Sequence, residues 1–80
     1  MQSGELIVTG KDKAIIPLNG FPSEVKAHFK DDEVVVPCNP IHADTLEYEV
    51  HASNTVAGGF VLIISWDVTN VREIVWHAFY

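Results

Sequence analysis

The sequence has 80 residues, a net charge of −6 and an apolar fraction of 48%, which together predict one small acidic domain covering residues 1–80. Because Lys and Arg number only five and form no cluster, we expect binding neither to nucleic acid nor to an anionic membrane. No apolar run reaches the roughly 18–20 residues of a membrane span, and the N-terminus lacks the features of a signal peptide.

The stability of so small a chain points to association with other subunits. A domain of this size buries only about 60–65% of the surface that its unfolded form exposes, and commonly relies on a disulfide, a metal or a neighbouring subunit. Cys38 is the only cysteine, so an internal disulfide is excluded, and there is no Cys-x-x-Cys motif for zinc. The high apolar fraction therefore indicates surface that is buried between subunits.

The N-terminal third predicts strands with polar turns between them. Residues 5–9 and 14–18 are short apolar segments on either side of a polar turn, and we expect them to form a hairpin. Pro17 indicates that the second segment either lies at a sheet edge or ends there, because proline cannot donate to a strand ladder. Residues 24–30 alternate apolar and polar side chains, which predicts a half-buried strand, with a helix that begins at Ser23 as the alternative.

The middle of the chain predicts a short strand, a loop and a longer strand. Residues 34–36 are three valines followed by Pro37, and this β-branched run predicts a strand. Residues 38–44 are predicted to form an ordered loop. Residues 45–52 alternate cleanly, and four of their side chains are predicted to face inward: Leu46, Tyr48, Val50 and Ala52.

Residues 58–80 are the stretch around which the rest of the chain is predicted to fold. They contain two long apolar segments separated by a polar turn, and both tryptophans. The first segment is apolar on both faces, so we expect it in the middle of a sheet with layers on each side. Together the two segments should form the core. The whole pattern predicts an all-β domain, a small antiparallel β-sandwich of about six to seven strands, with a small barrel as the alternative.

The sequence contains no recognised catalytic, cofactor-binding or metal-binding motif. His42 and Asp44, two residues apart in the predicted loop, are candidate ligand or interface residues, and with His51 they could hold a metal. Because that spacing matches no metal motif, we expect no metal and no cofactor. The other candidate ligand or interface residues are aromatic side chains that we expect in the core or at a subunit interface: Trp66, Trp76, Phe79 and Tyr80.

Three segments resemble the H-type lectin domain: residues 21–25 (Phe-Pro-Ser-Glu-Val), residues 59–62 (Gly-Phe-Val-Leu) leading to Trp66, and residues 74–78 (Ile-Val-Trp-His-Ala). The resemblance implies a small six-stranded β-sandwich that forms trimers, sometimes stacked into hexamers, and binds galactose-type sugars near subunit interfaces. It also implies a relation to domains at the ends of bacteriophage tail fibres. The matching segments are core positions, and no sugar-contacting residue of the family is assigned to this chain.

The sequence therefore predicts a non-enzymatic protein, made in the host cytoplasm, that self-associates as a structural component of a bacteriophage virion, in the head or the tail. Its expected partners are copies of itself, as a trimer or hexamer, and other virion proteins. The alternative is a carbohydrate-binding module that uses Trp66 or Trp76 with the loops 38–44 and 53–58 for attachment. A third hypothesis, from another class, is a metal-dependent enzyme that uses His42, Asp44 and His51.

Overall fold

The computed structural model describes residues 1–30 and 44–80, which form two three-stranded antiparallel sheets and contain no helix. The strands are β1 (Gln2–Val8), β2 (Lys11–Leu18), β3 (Glu24–Phe29), β4 (Thr45–Ala52), β5 (Phe60–Asp67) and β6 (Arg72–Phe79). Sheet 1 has the order β1-β6-β3, and sheet 2 has the order β2-β5-β4. Residues of both sheets form one buried cluster, so the predicted all-β sandwich is confirmed.

Successive strands mostly lie in opposite sheets. β1 pairs with β6 and β2 pairs with β5, so Thr9 and Gly10 carry the chain from sheet 1 to sheet 2. Gly10 has a φ of 66°, which glycine adopts readily, and its carbonyl accepts a 2.8 Å hydrogen bond from the Val68 amide. The predicted hairpin of β1 and β2 is therefore wrong. β1 and β2 each have one apolar face. Because the two strands pair with different central strands, in different sheets, both apolar faces point into the same core.

The core is formed mainly by the two central strands, as predicted. Leu62 and Ile64 of β5 and Ile74 of β6 have no exposed surface. β5 and β6 follow each other in sequence, but they lie in different sheets and do not pair. Their side chains contribute a large share of the hydrophobic stabilisation, since each fully buried Leu or Ile contributes roughly 1.5–3 kcal/mol.

The edge strand β3 shows the alternation that its sequence predicts. Val25, Ala27 and Phe29 contact the core, while the residues between them are exposed. The strand prediction is confirmed, and the helix alternative at this segment is wrong. β2 also lies at an edge of its sheet, as the position of Pro17 predicts.

The other edge strand of sheet 2, β4, is less buried than its alternation predicts. Leu46 and Val50 pack against the core, as expected. Tyr48 and Ala52 are exposed, because β4 is the outermost strand of sheet 2. The strand and the loop that the sequence predicts within residues 31–43 lie outside the described residues.

A glycine in β1 makes room for the largest side chain of the core. Gly4 lies beside Trp76 in the β1–β6 register, and the indole ring covers the glycine backbone. A Cβ atom on Gly4 would come within 2.7 Å of the Trp76 Nε1 atom. Trp76 keeps only 5% of its surface exposed. Glycine is therefore required here for packing.

Candidate functional site

The outer face of sheet 2 has an apolar half within an otherwise charged surface. Ile15 of β2 lies beside Ile63 of β5, and Pro17 lies beside Val61. Ile15 is 60% exposed, and Val61 and Ile63 are only half-buried although they lie on the central strand. The sequence predicts layers on both faces of β5. Within residues 1–30 and 44–80, however, the structure places a layer on its inner face alone.

Charges of opposite sign lie on either side of β5 on this outer face. Lys13 of β2 lies beside Ser65, and Glu47 of β4 lies on the other side of the same serine. One row further along β4, the Glu49 Oε2 atom is 3.4 Å from the Nε2 atom of His51. The β2 edge is therefore basic, the β4 edge is acidic, and the central strand separates them.

A depression of about 320 Å³ lies where the apolar half meets the loop between β4 and β5. Its floor is formed by apolar residues of β2 and β5, and residues 51–55 form one wall. The Ser53 hydroxyl accepts hydrogen bonds from the amides of Thr55 at 3.2 Å and Val56 at 3.1 Å, which hold the loop in shape. The depression has room for an apolar side chain from another molecule.

The outer face of sheet 1 is more polar. The Lys30 ammonium lies 3.5 Å from Glu5 and 3.7 Å from Glu73, and the nearby Glu73 carboxylate raises the pKa of Lys30. A hydrogen bond between the two carboxyl groups raises the pKa of Glu73 and lowers that of Glu5. Phe79, a candidate interface residue, lies half-buried on this face with its ring stacked 6.0 Å from that of His77.

The two tryptophans have different environments. Trp76 is buried under β1 and offers no ring face to a ligand. Trp66 is half-buried, and its Nε1 donates a 3.3 Å hydrogen bond to the Thr9 carbonyl. It also lines a surface depression of about 300 Å³ together with Lys13 and Asp12. Of the two predicted stacking residues, therefore, only Trp66 reaches a surface that a sugar can approach.

Tyr80, another candidate interface residue, closes one end of the sandwich. Its hydroxyl donates to the Gln2 Oε1 atom at 2.8 Å and accepts a hydrogen bond from the Asn19 amide at 3.0 Å. The Gln2 side chain amide in turn donates to the Pro17 carbonyl at 2.9 Å. Half of the Tyr80 side chain remains exposed, but its polar group joins β1, β2 and the end of the chain.

Asp44, a candidate ligand residue, is used to hold strands together. Its carboxylate accepts hydrogen bonds from Arg72 at 2.9 Å and from the amide and hydroxyl of Thr69 at 3.2 and 3.3 Å. The hydrogen bond from Arg72 holds the pKa of Asp44 below its usual value. The same guanidinium lies 3.9 Å from the centre of the Phe29 ring. Asp44 therefore fixes the start of β4 to the turn between β5 and β6.

The remaining candidate residues do not converge on a metal site in the part of the chain that the structure describes. His42 lies outside it, and His51 pairs with Glu49 on the outer face of sheet 2. Residues 1–30 and 44–80 contain no group of three metal-ligating side chains. The same residues contain no helix that is long and apolar enough to cross a membrane.

Sequence reasoning missed the residues that define the outer face of sheet 2. The sequence predicts β2 from residue 14, so Lys13 falls in a turn, whereas the strand begins at Lys11. No alternation of polar and apolar residues marks the longer strand, because Ala14, Ile15 and Ile16 are all apolar. The position of Lys13, Ile15 and Pro17 beside β5 follows from the strand register, which the sequence pattern alone does not supply.

Comparison with known proteins finds no matching protein-family model, no matching curated protein and no matching solved structure.

Proposed function

We propose that this protein is a non-enzymatic structural protein that self-associates within a larger particle, as a head or tail accessory protein of a bacteriophage virion. The observation that supports self-association is the exposed apolar surface on the outer face of sheet 2. Its central strand exposes part of Val61 and Ile63, and Ile15 beside them is 60% exposed. A contiguous apolar patch of this kind, bordered by charged residues, is typical of a protein interface.

The proposal that the larger particle is a bacteriophage virion is based on the sequence. Three segments of the sequence resemble the H-type lectin domain, a family with relatives in phage tail fibres. The six strands within residues 1–30 and 44–80 are compatible with the sandwich that the resemblance implies. A structural role also fits the use made of the candidate polar residues. Asp44 and Tyr80 form hydrogen bonds between strands, and Trp76 fills the core.

The assembly state tests this proposal most directly. We expect light scattering coupled to size-exclusion chromatography to give a trimer or a hexamer at micromolar concentration. A monomer at every concentration up to about 100 μM, where even weak specific contacts form, would contradict self-association. Quantitative mass spectrometry of purified particles from the producing cells tests the location. A constant ratio to a major structural protein supports the virion, and absence from particles contradicts it.

A carbohydrate-binding module is the second candidate, and the depression beside Trp66 favours it. The indole ring, the Asp12 carboxylate and the Lys13 ammonium combine a stacking surface with polar groups, as sugar sites do. A glycan array tests the idea, followed by titration of the wild type and of Asp12→Ala with any sugar that binds. Glu24→Ala, on the outer face of sheet 1, is the control. An array without binding rejects this candidate.

A further inference from the structure

We infer that the turn at Asn19 and Gly20 is a site of covalent self-modification, at which the asparagine is converted to aspartate or isoaspartate with loss of ammonia. The inference goes beyond the proposed function and does not depend on it. Both reacting groups belong to the same turn, and the co-reactant is water. The backbone nitrogen of Gly20 attacks, and the side-chain amide of Asn19 is the group that is attacked.

The turn carries the chain from sheet 2 to sheet 1. It lies between the end of β2 at Leu18 and the start of β3 at Glu24. Asn19 is exposed, and Gly20 has a φ of 128°, in the left-handed region that favours glycine. Within the described residues, a Cβ atom on Gly20 would have a single neighbour within 4 Å, an atom of the Tyr80 ring at 3.9 Å. The space beside Gly20 is therefore largely open.

Hydrogen bonds hold the backbone of Asn19 but leave the two reacting groups unbonded. The Asn19 backbone amide donates to the Tyr80 hydroxyl at 3.0 Å and to the Gln2 Oε1 atom at 3.1 Å. Among residues 1–30 and 44–80, neither the side-chain amide of Asn19 nor the backbone amide of Gly20 has a hydrogen-bond partner. The two groups therefore break no hydrogen bond with those residues when they react.

The reaction has two steps. The Gly20 nitrogen attacks the Cγ atom of Asn19, and the bond between Cγ and the side-chain nitrogen breaks. That nitrogen leaves as ammonia with the proton of the Gly20 amide, and a cyclic imide remains. Water then adds to one of the two imide carbonyl carbons, and the Gly20 nitrogen regains a proton as the ring opens. Addition at Cγ gives aspartate, whereas addition at the backbone carbonyl carbon gives isoaspartate, in which the main chain runs through the side chain.

The other three asparagines are followed in the sequence by proline, threonine and valine instead of glycine. The proline after Asn39 has no amide hydrogen to release. The threonine after Asn54 and the valine after Asn70 are β-branched, so their side chains crowd the backbone nitrogen. The Thr55 amide also donates a 3.2 Å hydrogen bond to the Ser53 hydroxyl. The chain thus contains its own controls for the effect of glycine.

Isoaspartate would disturb the end of the sandwich that Tyr80 closes. It lengthens the main chain by a methylene group between Leu18, which is buried, and Ser23, whose amide donates to the Phe79 carbonyl at 2.7 Å. Because both sides of the turn are fixed, the added length must be taken up within it. We therefore expect the Asn19 amide to move away from the Tyr80 hydroxyl.

Incubation of the folded protein at mildly alkaline pH tests the inference. Peptide mapping by mass spectrometry, with isoaspartyl methyltransferase as a label for isoaspartate, gives the rate at each asparagine. We expect Asn19 to react many-fold faster than Asn54 and Asn70, and within a few-fold of its rate in the guanidinium-unfolded chain. Asn19→Gln, which keeps the backbone donor and the neutral amide, should lose the isoaspartate label at this position.

Two results overturn the inference. One is an Asn19 that reacts no faster than Asn54 and Asn70 in the folded protein. The other is a rate at Asn19 that rises many-fold on unfolding, since the folded turn would then protect it. The isoaspartate form, separated by ion exchange, should unfold at a lower urea concentration than freshly prepared Asn19→Asp, which carries the same charge on an ordinary backbone. Equal midpoints would overturn the expected displacement at Tyr80.

Discussion

The two central strands both contribute buried apolar side chains to the core, but their outer faces have different surroundings. On β6, Val75 lies between Glu5 and His28 of the adjacent strands. On β5, Ile63 lies beside Ile15, and only its β4 neighbour is charged. Val75 is thus enclosed by polar side chains, whereas Ile63 is part of an apolar patch. The edge strands, more than the central ones, determine which sheet presents an apolar surface.

The largest expected effect on the free energy of unfolding comes from one of two adjacent isoleucines that lie on opposite faces of β5. Ile64→Ala removes a fully buried side chain and should lower the free energy of unfolding by about 2–5 kcal/mol. Ile63→Ala, on the outer face, should cost about 1 kcal/mol or less in the dissociated chain. Urea unfolding, at a protein concentration low enough for the chains to be dissociated, gives the free energy of unfolding of both variants. Equal losses would mean that the outer face of β5 is already covered within one chain.

A smaller effect is expected from the inner face of sheet 1. Gly4→Ala places a methyl group against the Trp76 ring and should cost about 1–3 kcal/mol, because the ring is enclosed and must shift. Urea unfolding measures the loss, and near-ultraviolet circular dichroism reports the change at the indole. Ser3→Ala, exposed on the same strand, is the control. An unchanged spectrum and midpoint for Gly4→Ala would contradict the requirement for glycine at this position.

The link that Asp44 forms between the start of β4 and the turn between β5 and β6 should give a pH-dependent effect. Because the pKa of Asp44 is lowered in the folded state, its contribution to stability is fully present above the unfolded pKa of about 3.9 and is lost as the pH falls through the folded value. Asp44→Asn removes that contribution. We expect the variant to be less stable than the wild type at pH 7, with the difference shrinking at pH 3. A difference that is independent of pH would contradict the role of the charge.

The smallest expected effect lies on the polar outer face of sheet 1. Glu5→Gln removes the carboxyl group whose hydrogen bond, and to a smaller extent whose charge, raises the pKa of Glu73, so that pKa should fall towards its ordinary value. Titration followed by nuclear magnetic resonance measures this shift. Glu24→Gln, on the same face but in β3, should leave the pKa of Glu73 unchanged. Stability should change little in either variant, because exposed ion pairs contribute little.

Alternation along the chain predicts most of the fold. The unbroken pattern of residues 45–52 predicts β4 with its observed bounds, and the two-faced pattern of residues 60–67 predicts a central strand. The same pattern does not predict which strands pair. The short apolar segments on either side of Gly10 are compatible with a hairpin and equally with a crossing from one sheet to the other. Nothing in the local pattern indicates that β1 pairs with the last strand of the chain.

The candidate site depends even more on contacts between distant segments. Asp44 meets Arg72 through the fold, although nothing near either residue in the sequence indicates a partner. The strand-borne Trp76 was expected in the core or an interface on general grounds, and its burial is explained by Gly4. The opposed charges on sheet 2 could be assigned only after the register had placed Lys13 and Glu47 in one row.

The pairing of β1 with β6 has a consequence for synthesis. Sheet 2 has all its strands once β5 has left the ribosome, but sheet 1 lacks its central strand until β6 emerges. During that interval β1 and β3 have no partner in their sheet, and the inner face of sheet 2 is uncovered. The nascent chain thus exposes unpaired strand edges until β6 emerges, a state prone to aggregation. The emergence of β6, followed by the closing of sheet 1, ends that exposure.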